Sequence, residues 1–410
     1  MKILYHHRIG SKDGQYVHIE ELTRALKRLG HEVVFAGPAA VERERFGYDA
    51  GPIAQLKRWV PRAVYELMEY LYSIVDFRRL YAAALRHRPD CLYERYNLFL
   101  PSGVWLKRRT GLPMLLEVNA PVWEERSRYG GITLGRLAQS TQRKAWLGAD
   151  FVLPVTEVLA GYVRRAGVPA SRIEVIHNGV DLGRFDGLPE PVAAKRALGL
   201  DGKLVLGFTG FAREWHALER VLDYVSRKRR GDGGDLHFLL VGDGPAVAPL
   251  RARARQLGIE DRVTITGVIE RDAVGRYIAA FDIALQPEVV EYASPLKLFE
   301  YLVLGRPVLA PCMPNIREIV THERNALLFD PNEPAAFEAG LDRLSSDPVL
   351  RARLGMAARR LVDKRGFTWE NNARRVVALF RRHGVHDGSP ARTDRPDAPR
   401  DDAVRKMETP

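Results

Sequence analysis

Cysteine is almost absent from this 410-residue chain. Cys91 and Cys312 stand far apart, which leaves no disulfide framework and no cysteine spacing of the metal-binding kind, and fits a reducing cytoplasm. No apolar run approaches the length needed to span a bilayer. The basic run His6-His7-Arg8 interrupts the apolar core that a signal peptide would need. Gly-x-Gly-x-x-Gly is missing, and the second expected strand runs into Ala36-Gly37-Pro38 rather than an acidic residue, which argues against a nicotinamide dinucleotide. There is no Asp-x-Asp pair, so a carboxylate–metal clamp on a diphosphate has no support. Acidic residues are outnumbered: 51 against 63 Lys and Arg, for a net charge of +12. Such a surface suits phosphorylated ligands, an anionic membrane or nucleic acid. No nucleic-acid-binding motif accompanies it, so the first two are preferred.

The most informative stretch is 291–310. Ser294 is a good N-cap, with Pro295 at the first helical position. Leu296, Phe299 and Val303 recur at helical spacing. Gly305 suits a left-handed helix end, and Pro307 forbids continuation before a short buried strand at 308–310. A helix starting in a turn aims free N–H groups and a positive dipole end at an anion. Lys297 adds a full charge there, and Glu300 lies one turn deeper, where a carboxylate could accept from the two hydroxyls of a ribose. That is the shape of a nucleoside diphosphate site. It is equally the pattern of an ordinary amphipathic helix with an exposed Lys and Glu.

Around this stretch strands and helices alternate, which predicts an α/β chain with parallel sheets. In the first half strands are expected at 2–5, 31–36, 90–94, 114–119, 149–154 and 172–176. In the second they are expected at 204–210, 236–241, 263–267 and 282–286. Helices are expected at 17–29, 132–147, 215–227, 248–257, 335–344, 348–362 and 369–382. Residues 55–88 read as helical and mix Trp59, Tyr65, Tyr70, Tyr72, Phe77 and Tyr81 with Lys57, Arg58, Arg62, Arg78, Arg79, Arg86 and Arg88. A basic, aromatic helix can lie on an anionic membrane surface. It can equally be core-packed with a solvated basic face. The loosest linker is at 187–191. Beyond about Gly384 the chain is Pro-, Asp- and Arg-rich without apolar periodicity, the composition of a disordered tail.

Taken together, these pieces resemble the retaining glycosyltransferases of family 4. The likeness rests on Gly14 with the helix end 28–33, Val175-Ile-His-Asn-Gly-Val-Asp181, residues 210–217, Val241-Gly-Asp-Gly-Pro245, and 294–301 followed by 305–308. It implies a GT-B fold: two Rossmann-like parallel-sheet domains facing a central cleft. The first, at 1–188, would take the acceptor; the second, at 189–366, a nucleotide-sugar donor. A helix at 367–383 would return to the first domain, and 384–410 would form the tail. The donor is then a co-substrate and no separate cofactor is implied. The resemblance gives Ser294, Pro295, Leu296 and Lys297 to the diphosphate, Glu300 to the ribose, and Gly14, Gly210, Asp243, Gly244 and Val268 to backbone contacts with the donor. Arg213 and Lys297 become the candidate diphosphate cations, with His216 beside them. Two positions depart from the family pattern. Its first signature acid falls on Tyr292, with Glu291 one place off. An active-site His is replaced by Asn119, which can bond a sugar hydroxyl but cannot carry a proton. The function implied is sugar transfer to a glycan or lipid-linked acceptor in bacterial surface polysaccharide synthesis. The setting would be cytoplasmic, with possible attachment to an anionic inner membrane face and no nucleic-acid partner. A nucleotide-sugar epimerase and a non-catalytic nucleotide-sugar-binding protein are the alternatives.

Overall fold

The computed structural model describes residues 1–9, 14–37, 60–228 and 235–385. The expected tail beyond Val385, Trp59, Lys57 and Arg58 lie outside the described residues. In the first half β1 (Lys2–His6), α1 (Gly14–Arg28), β2 (Glu32–Ala36), α2 (Arg62–His87), β3 (Cys91–Arg95), α3 (Ser102–Thr110), β4 (Met114–Val118), α4 (Gly135–Gly148), β5 (Phe151–Pro154) and α5 (Glu157–Arg165) succeed one another. The strands form one parallel sheet in the order β2-β1-β3-β4-β5.

The second half contains α6 (Pro191–Ala197), β6 (Lys203–Thr209), α7 (Glu219–Arg227), β7 (Asp235–Val241), α8 (Val247–Gln256), β8 (Val263–Ile265), α9 (Val274–Ala279) and β9 (Ile283–Leu285). After these come α10 (Leu296–Val303), β10 (Val308–Pro311), β11 (Leu327–Phe329), α11 (Ala336–Ser346), α12 (Pro348–Arg365) and α13 (Trp369–Arg382). Its sheet is also parallel, in the order β11-β10-β9-β6-β7-β8. Both sheets are covered on two faces. That is why their central strands read as near-continuous apolar runs and form the core with the helices. The direction in which successive strands are added reverses between β1 and β3 in one sheet, and between β6 and β9 in the other. Crevices open beyond the carboxyl ends of strands at such points.

The two carboxyl edges face each other. Thr156, just past β5, donates from its hydroxyl to the Tyr292 carbonyl at 2.9 Å. Tyr162 donates to Glu291 at 2.8 Å. The Glu318 carboxylate accepts the N–H groups of Glu157 and Val158 at 2.6 and 3.0 Å, capping the positive end of α5 from across the domain boundary. The chain recrosses beside Val180, whose N–H donates to Phe367 O at 3.0 Å. Gly179 permits that crossing, since a Cβ there would lie 2.7 Å from the Thr368 carbonyl carbon. Helix α13 then packs on α1, burying Trp369, Val376 and Phe380 among Ile19, Leu22 and Leu26.

Three expected elements differ from what is observed. Residues 172–176 are not a strand: Ile173 makes a single parallel bridge to Val152 beside β5. The helix expected at 215–227 is split into a short 3-10 turn, Glu214–His216, and α7, because Ala217 turns left-handed at φ 51°. Of the basic run, the described residues 60–88 hold one long helix, α2, which begins only at Arg62, and its Tyr70, Phe77 and Tyr81 pack on the first core. Among the described residues no helix is long and apolar enough to cross a membrane.

Candidate active site

Helix α10 is buried almost all round, with Leu298, Phe299, Glu300, Tyr301, Leu302 and Val303 enclosed. Its start corrects the sequence reading. Pro295 is the cap and Leu296 the first helical residue. Ser294 does not cap the helix. Its hydroxyl accepts the Asn178 N–H at 3.1 Å, and its carbonyl accepts from the Asn178 side chain at 2.6 Å, so it is used to join the two halves. Pro295 has no polar side chain, and the helix tip keeps no side-chain cap. The far end matches expectation. Gly305 is left-handed at φ 60°, its N–H donates to Leu302 O, and Arg306 N–H donates to Tyr301 O.

Lys297 in the first turn of α10 reaches the turn after β6. Its Nζ lies 3.8 Å from the Phe208 ring centroid and 3.2 Å from Nε2 of His216. Gly210 is in this turn with φ 121°, which calls for glycine, and a Cβ there would just touch the Lys297 Cε, at 3.4 Å. His216 Nδ1 accepts the Arg213 N–H at 3.1 Å. Burial lowers the Lys297 pKa to about 7, against a partial upward pull from Glu300. Burial, then Lys297, push His216 down to about 2, which leaves the imidazole neutral. Glu300 is buried and held by the Arg271 guanidinium at 3.2 Å. Arg271 also faces Glu21 of α1 at 3.7 Å, so the acid is tied toward the first domain.

The other expected donor residues form the rim. The loops after β6 and β7 are knitted together: Ala212 N–H donates to Asp243 O at 2.8 Å, and Gly210 N–H donates to Val241 O at 2.9 Å. Gly242 and Gly244 allow this approach. A Cβ on either would lie 2.1 or 2.2 Å from the carbonyl oxygen of Gly210 or Ala212, and both have φ above 140°. The Asp243 carboxylate accepts the Gly244 N–H. Arg213 is exposed, its guanidinium 5.0 Å from the Phe211 ring centre. Val268 is exposed beyond β8, and Gly14 opens α1. Tyr292 points away, into the core of the first domain. Glu291 is occupied by Tyr162 and by Arg128, 3.7 Å away.

Asn119 belongs to the opposite wall, at the carboxyl end of β4. Its amide NH2 donates to Glu117 at 2.5 Å. A carboxylate can only accept from that amide, so the pairing fixes the amide and leaves its oxygen to accept from something else. Glu117 is the centre of a buried cluster: it also accepts from Arg95 at 2.5 Å and Tyr93 at 2.6 Å, and lies 2.9 Å from His18. Burial alone would raise its pKa, but His18 and Arg95 hold it well below the usual carboxylate range. A second cluster occupies the reversal between β1 and β3. His6 lies between Glu94, at 2.7 Å, and Asp76, at 3.0 Å. Burial lowers the His6 pKa, but the two carboxylates carry it up to about 10.

Thus Lys297, His216, Gly210 and Glu300 come together on one side, and Asn119 stands across the cleft. Sequence reading missed Arg271, Glu117, His18 and the His6–Glu94–Asp76 group. A signal existed for Glu94, Arg95 and Glu117: ionisable residues ending apolar buried strands are rare unless paired.

Residues 12–184 match the family model described as Glycosyltransferase Family 4, and residues 203–347 match Glycosyl transferases group 1. The chain is 26% identical over 399 residues to a D-inositol 3-phosphate glycosyltransferase of Xylanimonas cellulosilytica, covering 90% of this chain and 92% of that protein. It is 27% identical over 366 residues to a 2-deoxystreptamine N-acetyl-D-glucosaminyltransferase of Streptomyces fradiae, covering 83% of each. Among solved structures, HepE of Anabaena in complex with UDP and glucose aligns with a TM-score of 0.71 at 18% identity, over 93% of this chain and 100% of that one. Sucrose-phosphate synthase of Thermosynechococcus elongatus aligns with a TM-score of 0.72 at 19% identity, over 94% and 99%. At these identities the structural likeness is one of fold, and the fold is GT-B.

Proposed function

The chain belongs to glycosyltransferase family 4, and from that premise we propose that it moves a glycosyl group from a nucleoside diphosphate sugar to an acceptor hydroxyl, with retention and without a metal. The observation that carries the reading is Lys297 in the first turn of α10, against the Gly210 turn, with Glu300 one turn inside. The diphosphate sits at the helix tip, Lys297 and Arg213 meet its charge, and Glu300 receives the ribose diol once Arg271 yields it. The acceptor oxygen bonds the anomeric carbon as the bond to the leaving phosphate breaks, and that phosphate takes the acceptor proton. Asn119 needs no basicity in this scheme; its amide oxygen accepts from a sugar hydroxyl.

The acceptor is a glycan or lipid-linked glycan met at the cytoplasmic membrane face. A second reading takes a small polar acceptor, because near full-length relatives are named for D-inositol 3-phosphate and 2-deoxystreptamine. The test is incubation with a panel of nucleoside diphosphate sugars, with and without acceptors of both kinds, with and without a chelator. Expected is product only when acceptor is present, with the donor's anomeric configuration kept and no loss on chelation. Conversion of the donor sugar without acceptor would indicate an epimerase. Failure to bind any nucleoside diphosphate would indicate a non-catalytic protein.

A further inference from the structure

The first half of α2 is inside out. Glu66, Glu69 and Ser73 are buried on its inner side, while Val64, Leu67, Met68, Leu71, Ile74 and Val75 stand outside, each between 44% and 50% exposed. The outer six recur every three or four residues and make one continuous aliphatic stripe. The inversion is locked in place. Glu66 accepts the N–H groups of Thr133 and Leu134 at 3.0 and 2.6 Å, and Glu69 accepts from Arg126 at 2.9 Å. Rotating the helix to hide the stripe would break these bonds and pull Tyr70, Phe77 and Leu80 off the core. A contiguous exposed apolar patch on a folded domain marks an interaction surface.

Charge says what the surface meets. The acidic residues of α2 are Glu66, Glu69 and Asp76, and Asp76 also faces inward, to His6 and to Ser102 at 2.5 Å. The outer side continues instead into the exposed Arg78 and Arg79. Arg79 donates to the Tyr72 hydroxyl at 3.1 Å, and the Arg8 guanidinium lies 4.8 Å from the Tyr72 ring centre. An aliphatic stripe with cations at one end and no outward acid complements an anionic lipid surface.

Position says what the contact would serve. Asp76 sits level with His6, the last residue of β1. Residues 62–75, a helical length of roughly 20 Å, therefore lie on the carboxyl-edge side of the first sheet. They overhang the segment after β4, at Arg126 and at Thr133–Leu134.

We propose that this face seats on an anionic bilayer, with the stripe in the interface and Arg78 and Arg79 among the headgroups, so that the cleft opens at the membrane. The placement of a lipid-linked acceptor at that opening rests on the transferase reading; the docking itself does not. The test is flotation of the full chain with vesicles of phosphatidylcholine, alone or with a third phosphatidylglycerol. Binding to the anionic vesicles and weak or no binding to the neutral ones is expected. The triple substitution Leu67→Gln, Leu71→Gln and Ile74→Gln should cut the bound fraction on the order of tenfold, without lowering the melting temperature. Arg78→Glu with Arg79→Glu should release the protein from anionic vesicles. No flotation of the full chain overturns the proposal. So does unaltered flotation of the triple variant, or a dimer in light scattering that the triple variant dissolves while vesicles are ignored. Calorimetry with UDP or GDP, run alongside, tests the donor site separately, so the two readings fail independently.

Discussion

Nζ of Lys297 lies 3.2 Å from Nε2 of His216, while the other ring nitrogen of His216 accepts the backbone N–H of Arg213. A neutral imidazole that accepts at Nδ1 carries its proton on Nε2. Lys297 therefore meets an N–H. A neutral amine can accept it; an ammonium cannot. This contact favours an uncharged Lys297, in keeping with its pKa of about 7. A diphosphate supplies the charge that makes the ammonium favourable.

Binding of a nucleoside diphosphate is expected to take up a proton above neutral pH. The sign follows from the shift. The free pKa is about 7, and an anion raises it. Affinity is level below pH 7 and weakens as pH rises, by up to about tenfold per unit. Calorimetry at pH 8 in buffers of different ionisation enthalpy reads the uptake directly. Lys297→Ala should abolish it and should weaken the nucleoside diphosphate far more than the bare nucleoside; equal losses would make Lys297 a surface residue. Without nucleotide in solution, the same group makes the protein more stable as pH climbs from about 7 toward 10.5, where the unfolded chain binds the extra proton.

Glu300→Ala is expected to weaken donor binding by about 1.5–3 kcal/mol, the scale of a bond to a charged group. The loss should appear with a ribonucleotide and be much smaller with its 2′,3′-dideoxy analogue. Unchanged affinity for the ribonucleotide, in a protein that melts normally, would remove Glu300 from the ribose.

Asn119→Ala is expected to lower kcat by roughly 10–100-fold while leaving nucleoside diphosphate affinity within about twofold, because in the proposed reaction the amide bonds a sugar hydroxyl and not the phosphates. Asn119→Asp should be no better: it sets a second carboxylate beside Glu117, which now accepts from the amide at 2.5 Å. Steady-state kinetics and binding on the same samples decide this.

His6→Ala should destabilise the protein by about 3–5 kcal/mol at pH 7, since it strips Glu94 and Asp76 of their buried counter-charge. In the intact protein the folded pKa of His6 is raised, to about 10. Its contribution is complete below the unfolded pKa of about 6.5 and is lost as pH rises through 10. Thermal denaturation across that range measures both effects.

Much of the architecture was legible because it is local. Apolar runs ended by Gly or Pro marked most strands, and the alternation of strands and helices implied parallel sheets. The Gly305–Pro307 stop and Glu300 one turn below Lys297 were readable from spacing alone. Tertiary structure decided what each polar group is spent on. Ser294 looks like a cap until Asn178, more than a hundred residues earlier, arrives from the other domain. His216 looks like the start of a longer helix until its ring takes the Arg213 N–H and Ala217 turns left-handed. The acidic face of α2 is directed inward only because the 126–134 segment offers a guanidinium and free amides there. Periodicity reports which residues share a side of a helix. Which side is buried depends on partners that the local sequence does not contain.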